Sequence, residues 1–224
     1  MAINYGAKLF ESTSTQRTVA HTIGSVVKAG SLICIALAGK RSGAYLNVSS
    51  IRDSKGNTWE WETAQSEYRA CGVAWTRTSV AMTTADTITV TWNGTPSYAW
   101  KSAHSFEGAS ASETEKDHAF GSSSTASITL DVTGSDWLTF AVVMAPYADA
   151  TSLTPLNSST SRDTNGASSR PWAECFSRNG TSGSTHTAGA SGVTGGSWAI
   201  TGVSFPYLAM PVSASTRSFI IGGS

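Results

Sequence analysis

The chain carries one strand pattern twice, at offsets close to 100 residues, and this doubling limits its possible folds more than any other feature. Ser97-Tyr98-Ala99-Trp100-Lys101-Ser102-Ala103-His104-Ser105-Phe106 is echoed by Ser197-Trp198-Ala199-Ile200-Thr201-Gly202-Val203-Ser204-Phe205. Ala70–Arg77 is echoed by Ala173–Arg178, and Gly30-Ser31-Leu32 by Gly134-Ser135-Asp136-Trp137-Leu138. The echoed pairs, such as Trp75 with Phe176 and Phe106 with Phe205, are core residue types. What repeats is scaffold, not a pair of reactive sites.

Periodicity is strand-like throughout, and no segment combines helical spacing with caps. Leu32–Ala38 and Trp137–Ala145 are near-continuous apolar runs, as in strands buried on both faces. Asp53-Ser54-Lys55-Gly56-Asn57 has turn chemistry, with Asp and Asn to bond the backbone and Gly to supply positive φ. Thr58-Trp59-Glu60-Trp61-Glu62 alternates, which places both Trp on one face and both Glu on the other. Asn93-Gly94 reads as a hairpin turn. The expected fold is all-β, a sandwich of jelly-roll or Greek-key type with an internal duplication and essentially no helix. Residues 1–15 read as an N-terminal arm and 16–208 as the duplicated sandwich. Its halves are 16–108 and 125–208, with a polar linker at 109–124, and 209–224 is a C-terminal tail. Residues 149–170 read as a long loop. The second half looks poor at closing alone, so a single intertwined sandwich is favoured over two.

Composition narrows the partners. Only 13% of residues are charged and the net charge is zero, which gives no attraction to nucleic acid or an anionic membrane. Ser and Thr supply 65 of the 224 residues. Such a surface suits contact with other protein, and the chain is expected to associate with itself and with a dedicated assembly. Cys34, Cys71 and Cys175 lie in or beside apolar runs and read as buried, reduced thiols. No secretory signal is read at Met1-Ala2-Ile3-Asn4-Tyr5.

The block Val48-Ser49-Ser50-Ile51-Arg52-Asp53-Ser54-Lys55-Gly56-Asn57-Thr58-Trp59 resembles a pattern of β-sandwich proteins in tailed bacteriophages and prophage regions. In that pattern an "I-x-D-S-x-G-N-T-W/Y" turn is followed by an aromatic strand and by "D-T-I-T-V-T-W/F". The counterparts here are Asp86–Trp92 and the later strand Ala99–Gly108. The resemblance spans residues 27–145. It implies a virion structural protein, either a minor tail component or a head decoration protein, and supplies no catalytic residues.

The residues themselves offer little chemistry. His21 and His104 read as strand-surface residues. Ser is too abundant for a Ser/His/Asp set to be informative, and no nucleophile-elbow, zinc-helix or phosphate-loop pattern occurs. Glu113, Glu115 and Asp117, with His118 beside them, read as a solvated linker without calcium-loop spacing. Glu60 and Glu62 share a strand face but read as solvent-directed, which leaves no carboxylate pair for glycoside hydrolysis. No metal or cofactor is expected. Trp75, Trp137 and Trp198 read as core. Trp59, Trp61 and Trp172 adjoin loops and, with Phe219, Ile220 and Ile221, are the candidate interface or glycan-facing residues. The expected role is a non-enzymatic virion subunit, made in the host cytoplasm and assembling with capsid or tail proteins through sandwich surfaces and docked termini. A carbohydrate-binding module for a host-surface glycan is the alternative.

Overall fold

The computed structural model describes residues 2–66, 69–110, 112–134, 136–145, 153–167, 170–193 and 197–208, with backbone alone at 66, 166–167 and 170–172. Every regular element among them is a strand. Residues 2–108 supply β1 (Asn4–Ser14), β2 (Thr18–Thr22), β3 (Leu32–Lys40), β4 (Val48–Asp53), β5 (Glu60–Ser66), β6 (Arg69–Arg77), β7 (Thr87–Trp92) and β8 (Tyr98–Glu107). The rest supplies β9 (Glu115–Gly121), β10 (Thr125–Asp131), β11 (Trp137–Ala145), β12 (Thr154–Pro155), β13 (Thr160–Ala167), β14 (Arg170–Gly180), β15 (Thr185–Ser191) and β16 (Trp198–Pro206).

The strand order occurs twice. The first half forms a five-stranded sheet, β1-β8-β3-β6-β5, and a three-stranded sheet, β2-β7-β4. The second half forms β9-β16-β11-β14-β13 and β10-β15-β12, which is the same order with each strand number raised by eight. Among the described residues, no strand of one half pairs into a sheet of the other, so the halves are two sandwiches and not one intertwined sandwich.

The molecule is a stack of four layers. One core lies between the two five-stranded sheets and includes Trp75, Trp100, Phe106, Phe140 and Phe205. A second lies between the sheets of the first half and a third between those of the second. Both large sheets are therefore covered on both faces, which explains the unbroken apolar runs of β3 and β11. Each buried aromatic side chain contributes about 1.5–3 kcal/mol by leaving water. Across the central layer β1 meets β13 and β5 meets β9, while β8 meets β14 and β6 meets β16. That exchange of roles is what a two-fold, self-complementary contact produces.

Several sequence expectations change. Residues 4–14 form edge strand β1, not an arm, and the 109–124 stretch contains edge strand β9. Within 149–170 lie β12 and β13; β13 is polar because its inward face meets a polar cluster. Asn93-Gly94 joins β7 and β8, which belong to different sheets, and therefore makes no hairpin. Asn93 is instead tied to Asn47, donating its backbone N–H to the Asn47 carbonyl and accepting the Asn47 N–H at its side chain. Trp75 and Phe176, paired in the sequence echo, face different cores, whereas Phe106 and Phe205 share the central one. The Asp53–Asn57 turn behaves as its chemistry requires: Asp53 Oδ1 accepts the N–H groups of Lys55 and Asn57, and Gly56 takes φ 74°.

Candidate functional site

The densest polar chemistry lies in the seam between the halves, at the β1/β13 end of the central layer. His104 is fully buried on β8, not on the surface where its alternating strand suggested. Its Nδ1 lies 3.2 Å from the Tyr5 hydroxyl and its Nε2 lies 2.9 Å from Ser102 Oγ. Asp163, from β13 of the other half, accepts a 2.5 Å hydrogen bond from Ser102 Oγ, and its Oδ2 is 3.4 Å from His104 Nε2. Lys8 Nζ reaches Asp163 Oδ1 at 3.0 Å and Glu11 Oε2 at 3.3 Å. The Cys175 thiol lies 3.5 Å from His104 Nε2, and the Arg162 guanidinium stands 4.1 Å from the centre of the Tyr5 ring.

One proton arrangement satisfies the chain of bonds. Tyr5 donates to Nδ1, Nε2–H donates toward Ser102 and Asp163, and the Ser102 hydroxyl donates to the carboxylate. Burial opposes the Asp163 charge, but hydrogen bonds from His104, Ser102 and Lys8 outweigh it and hold the carboxyl down at about 2. Burial pushes the Cys175 thiol well up, and the neighbouring Asp163 charge adds to this. The thiol is therefore kept out of its nucleophilic form.

The set contains Ser, His and Asp, but not in a nucleophilic order. A serine hydrolase orients its imidazole by a carboxylate on Nδ1 and attacks with the serine on Nε2. Here Tyr5 occupies the Nδ1 side, while Ser102 and Asp163 share Nε2. Ser102 and His104 are also closed off from solvent. This geometry couples the two halves; it does not activate the serine.

The other end of the seam carries matching links. His118 Nδ1 lies 2.9 Å from Glu62 Oε1, and Thr201 Oγ1 donates to the Cys71 carbonyl and accepts the Ala64 N–H, both at 3.1 Å. Glu62 is thus a partner for the other half and not simply solvent-directed, and His118 is an anchor on β9, not part of a free linker. Glu115 accepts the Asp131 N–H, which draws β9 toward β10. All three cysteines are free and buried, as expected.

The tryptophan candidates divide. Trp59 is 6% exposed and donates its indole N–H to Asp53 Oδ2 at 2.7 Å, which leaves no open ring face for a ligand. Trp61 is half-buried against the same core. The Trp172 side chain and Phe219, Ile220 and Ile221 lie outside the described residues. At the strand ends beside Gly30 and Gly108, a cleft of about 480 Å³ is lined by Ala2, Lys28, Gly30, Arg77, Glu107 and Tyr207, among others. Its charges largely answer one another, with Lys28 and Glu107 2.9 Å apart. Among the described residues, no group of three or more His, Cys, Asp or Glu side chains is placed to hold a metal ion.

The seam was not legible in the sequence. Tyr5 lay in the expected arm and Asp163 in the expected loop, and nothing in Ser161-Arg162-Asp163-Thr164-Asn165 marks a contact with β8. No protein-family model matches this chain, and neither the curated proteins nor the solved structures give a match.

Proposed function

We propose that the chain is a non-enzymatic structural subunit of a bacteriophage virion, a minor tail protein or a capsid decoration protein, that assembles through the outer faces of its stacked sandwiches. The observation that carries an assembly role is a pair of hydroxyl-lined sheets at opposite ends of the stack. On one, Thr18 pairs with Thr91 and Thr22 with Thr87, and the Thr18 and Thr91 hydroxyls bond at 3.3 Å. On the other, Thr125 pairs with Ser191 and Thr129 with Thr187, with the latter hydroxyls 3.2 Å apart. Two similar, charge-poor faces pointing in opposite directions suit a subunit that contacts neighbours on both sides. The phage assignment rests on the sequence resemblance over residues 27–145. The closed seam favours a building role over a catalytic one.

Sedimentation of the purified protein, with pull-downs on empty capsids and tail tubes, tests this reading. Concentration-dependent multimers or retention on either particle is expected, weakened by Thr89→Lys on the outer face. A strict monomer that ignores both particles, and whose Trp fluorescence is quenched by dilute glycans, would replace it with the carbohydrate-binding reading.

A further inference from the structure

We propose that the layer between the two sheets of the first half holds a small inorganic anion of the halide class, bound by the Lys101 ammonium together with nitrogen donors of His21 and Trp92. Lys101 lies on β8 between Ala99 and Ala103, on the face turned toward β2 and β7. It is 0% exposed, and its amine has no hydrogen-bond partner among the described residues. Two further nitrogens in the same layer share that condition, His21 Nε2 and Trp92 Nε1.

The strand register places His21 and Trp92 on either side of Lys101, with His21 opposite Ile88 and Trp92 four residues further along β7. His21 enters from β2 and stacks on Phe10, with ring centroids 4.4 Å apart. Phe10 pairs with Ala103, the next residue along that face of β8 from Lys101. Trp92 enters from β7 against Gly39, which pairs with Ala99 on the other side of Lys101. Burial first, and the Lys101 charge second, holds the His21 ring down at about 4, so at neutral pH it is uncharged and its Nε2–H tautomer is a donor. The other inward side chains of β2, β4 and β7 are Val19, Val48, Ile51, Ile88 and Val90, none of which is an acceptor.

The fold does not require this ammonium. Counting back from the matched Phe106 and Phe205, Lys101 corresponds to Ile200, which fills its layer in the second half as ordinary core. Burial lowers the Lys101 amine to about 8, so it stays largely protonated at neutral pH. A buried cation without a counter-ion is costly, and orphan N–H donors add to that. Donors with no acceptor, in an apolar layer, form the complement of an anion. The dry lining favours weakly hydrated bromide or chloride over fluoride.

The test uses the intact protein dialysed into sodium gluconate and titrated with bromide, chloride or fluoride at constant ionic strength. Bromide and chloride are expected to raise Tm along a saturating curve, by roughly 5–10 °C at a hundredfold excess over Kd, and fluoride to act weakly. A bromide-soaked crystal is expected to give an anomalous peak beside Lys101 Nζ. Lys101→Met is expected to abolish the halide response while remaining at least as stable as the parent in gluconate, because it removes a buried charge. The proposal is overturned by a halide response that persists in Lys101→Met, by no saturable response in the parent, or by a crystal with water alone at the site. Should Lys101→Met fail to fold, the parent titration and the anomalous map still decide.

Discussion

His104 and Asp163 belong to different halves of the chain, yet their Nε2 and Oδ2 atoms lie 3.4 Å apart in the central layer. This contact couples the charge state of one half to the packing of the other. The Asp163 carboxyl sits at about 2 in the folded chain against an ordinary 3.8, so its stabilisation is present above pH 3.8 and is lost as pH falls through about 2. Asp163→Asn is expected to lower stability at pH 7 by about 2 kcal/mol in urea unfolding, with the gap to the parent closing as pH drops through that window. A gap that does not change with pH would rule out the carboxylate as its source.

Acid sensitivity should begin earlier, through histidine. Burial, reinforced by the Lys101 charge at His21 and by the Arg178 charge at His186, holds both rings down at about 4. The unfolded chain takes up these protons near 6.5 while the folded chain refuses them until about 4. Stability from these groups is therefore complete above pH 6.5 and is lost progressively between 6.5 and 4, by up to about 3 kcal/mol for each ring. His186→Gln is expected to remove roughly half of that fall. Tm measured across pH 4–7 checks it, and an unchanged slope in the variant would sink the assignment.

Trp59 carries a separate expectation. Its indole N–H bonds the Asp53 carboxylate that also organises the turn before β5, so the ring anchors that turn to the core. Trp59→Phe keeps most of the apolar burial and loses the charged hydrogen bond, at an expected cost of about 1.5–3 kcal/mol. Chemical denaturation measures this. A variant as stable as the parent would show that the bond contributes nothing.

How far the sequence could be read follows from which signals are local. Leu32–Ala38 and Trp137–Ala145 announce buried central strands because burial on both faces leaves no polar position. Asp53 and Gly56 announce their turn because the bonds span only a few residues. The seam escapes for the opposite reason. Ser102 and Asp163 are 61 residues apart, and Tyr5 and His104 are 99 apart. A lone histidine in an alternating strand looks solvent-facing until the second large sheet covers it. Edge strand β13 escapes because its inward residues are polar and serve that same cluster. The echoed run at 173–178 misleads locally, since it aligns Trp75 with Phe176 although the two side chains point into different layers.

Thr201 tests whether the opposite end of the seam matters as much. Its hydroxyl donates to the Cys71 carbonyl and accepts the Ala64 N–H, and the residue is wholly buried. Thr201→Val preserves the shape but removes both bonds from the hydroxyl to the backbone of the other half, at an expected cost of about 1–3 kcal/mol. Thr201→Ser keeps the hydroxyl and loses one methyl group, for which about 1 kcal/mol is expected. The order of stability is therefore parent, then Ser, then Val, as read from denaturation midpoints. If the Val variant equals or exceeds the Ser variant, the halves are held at this point by shape alone, and the hydroxyl is incidental.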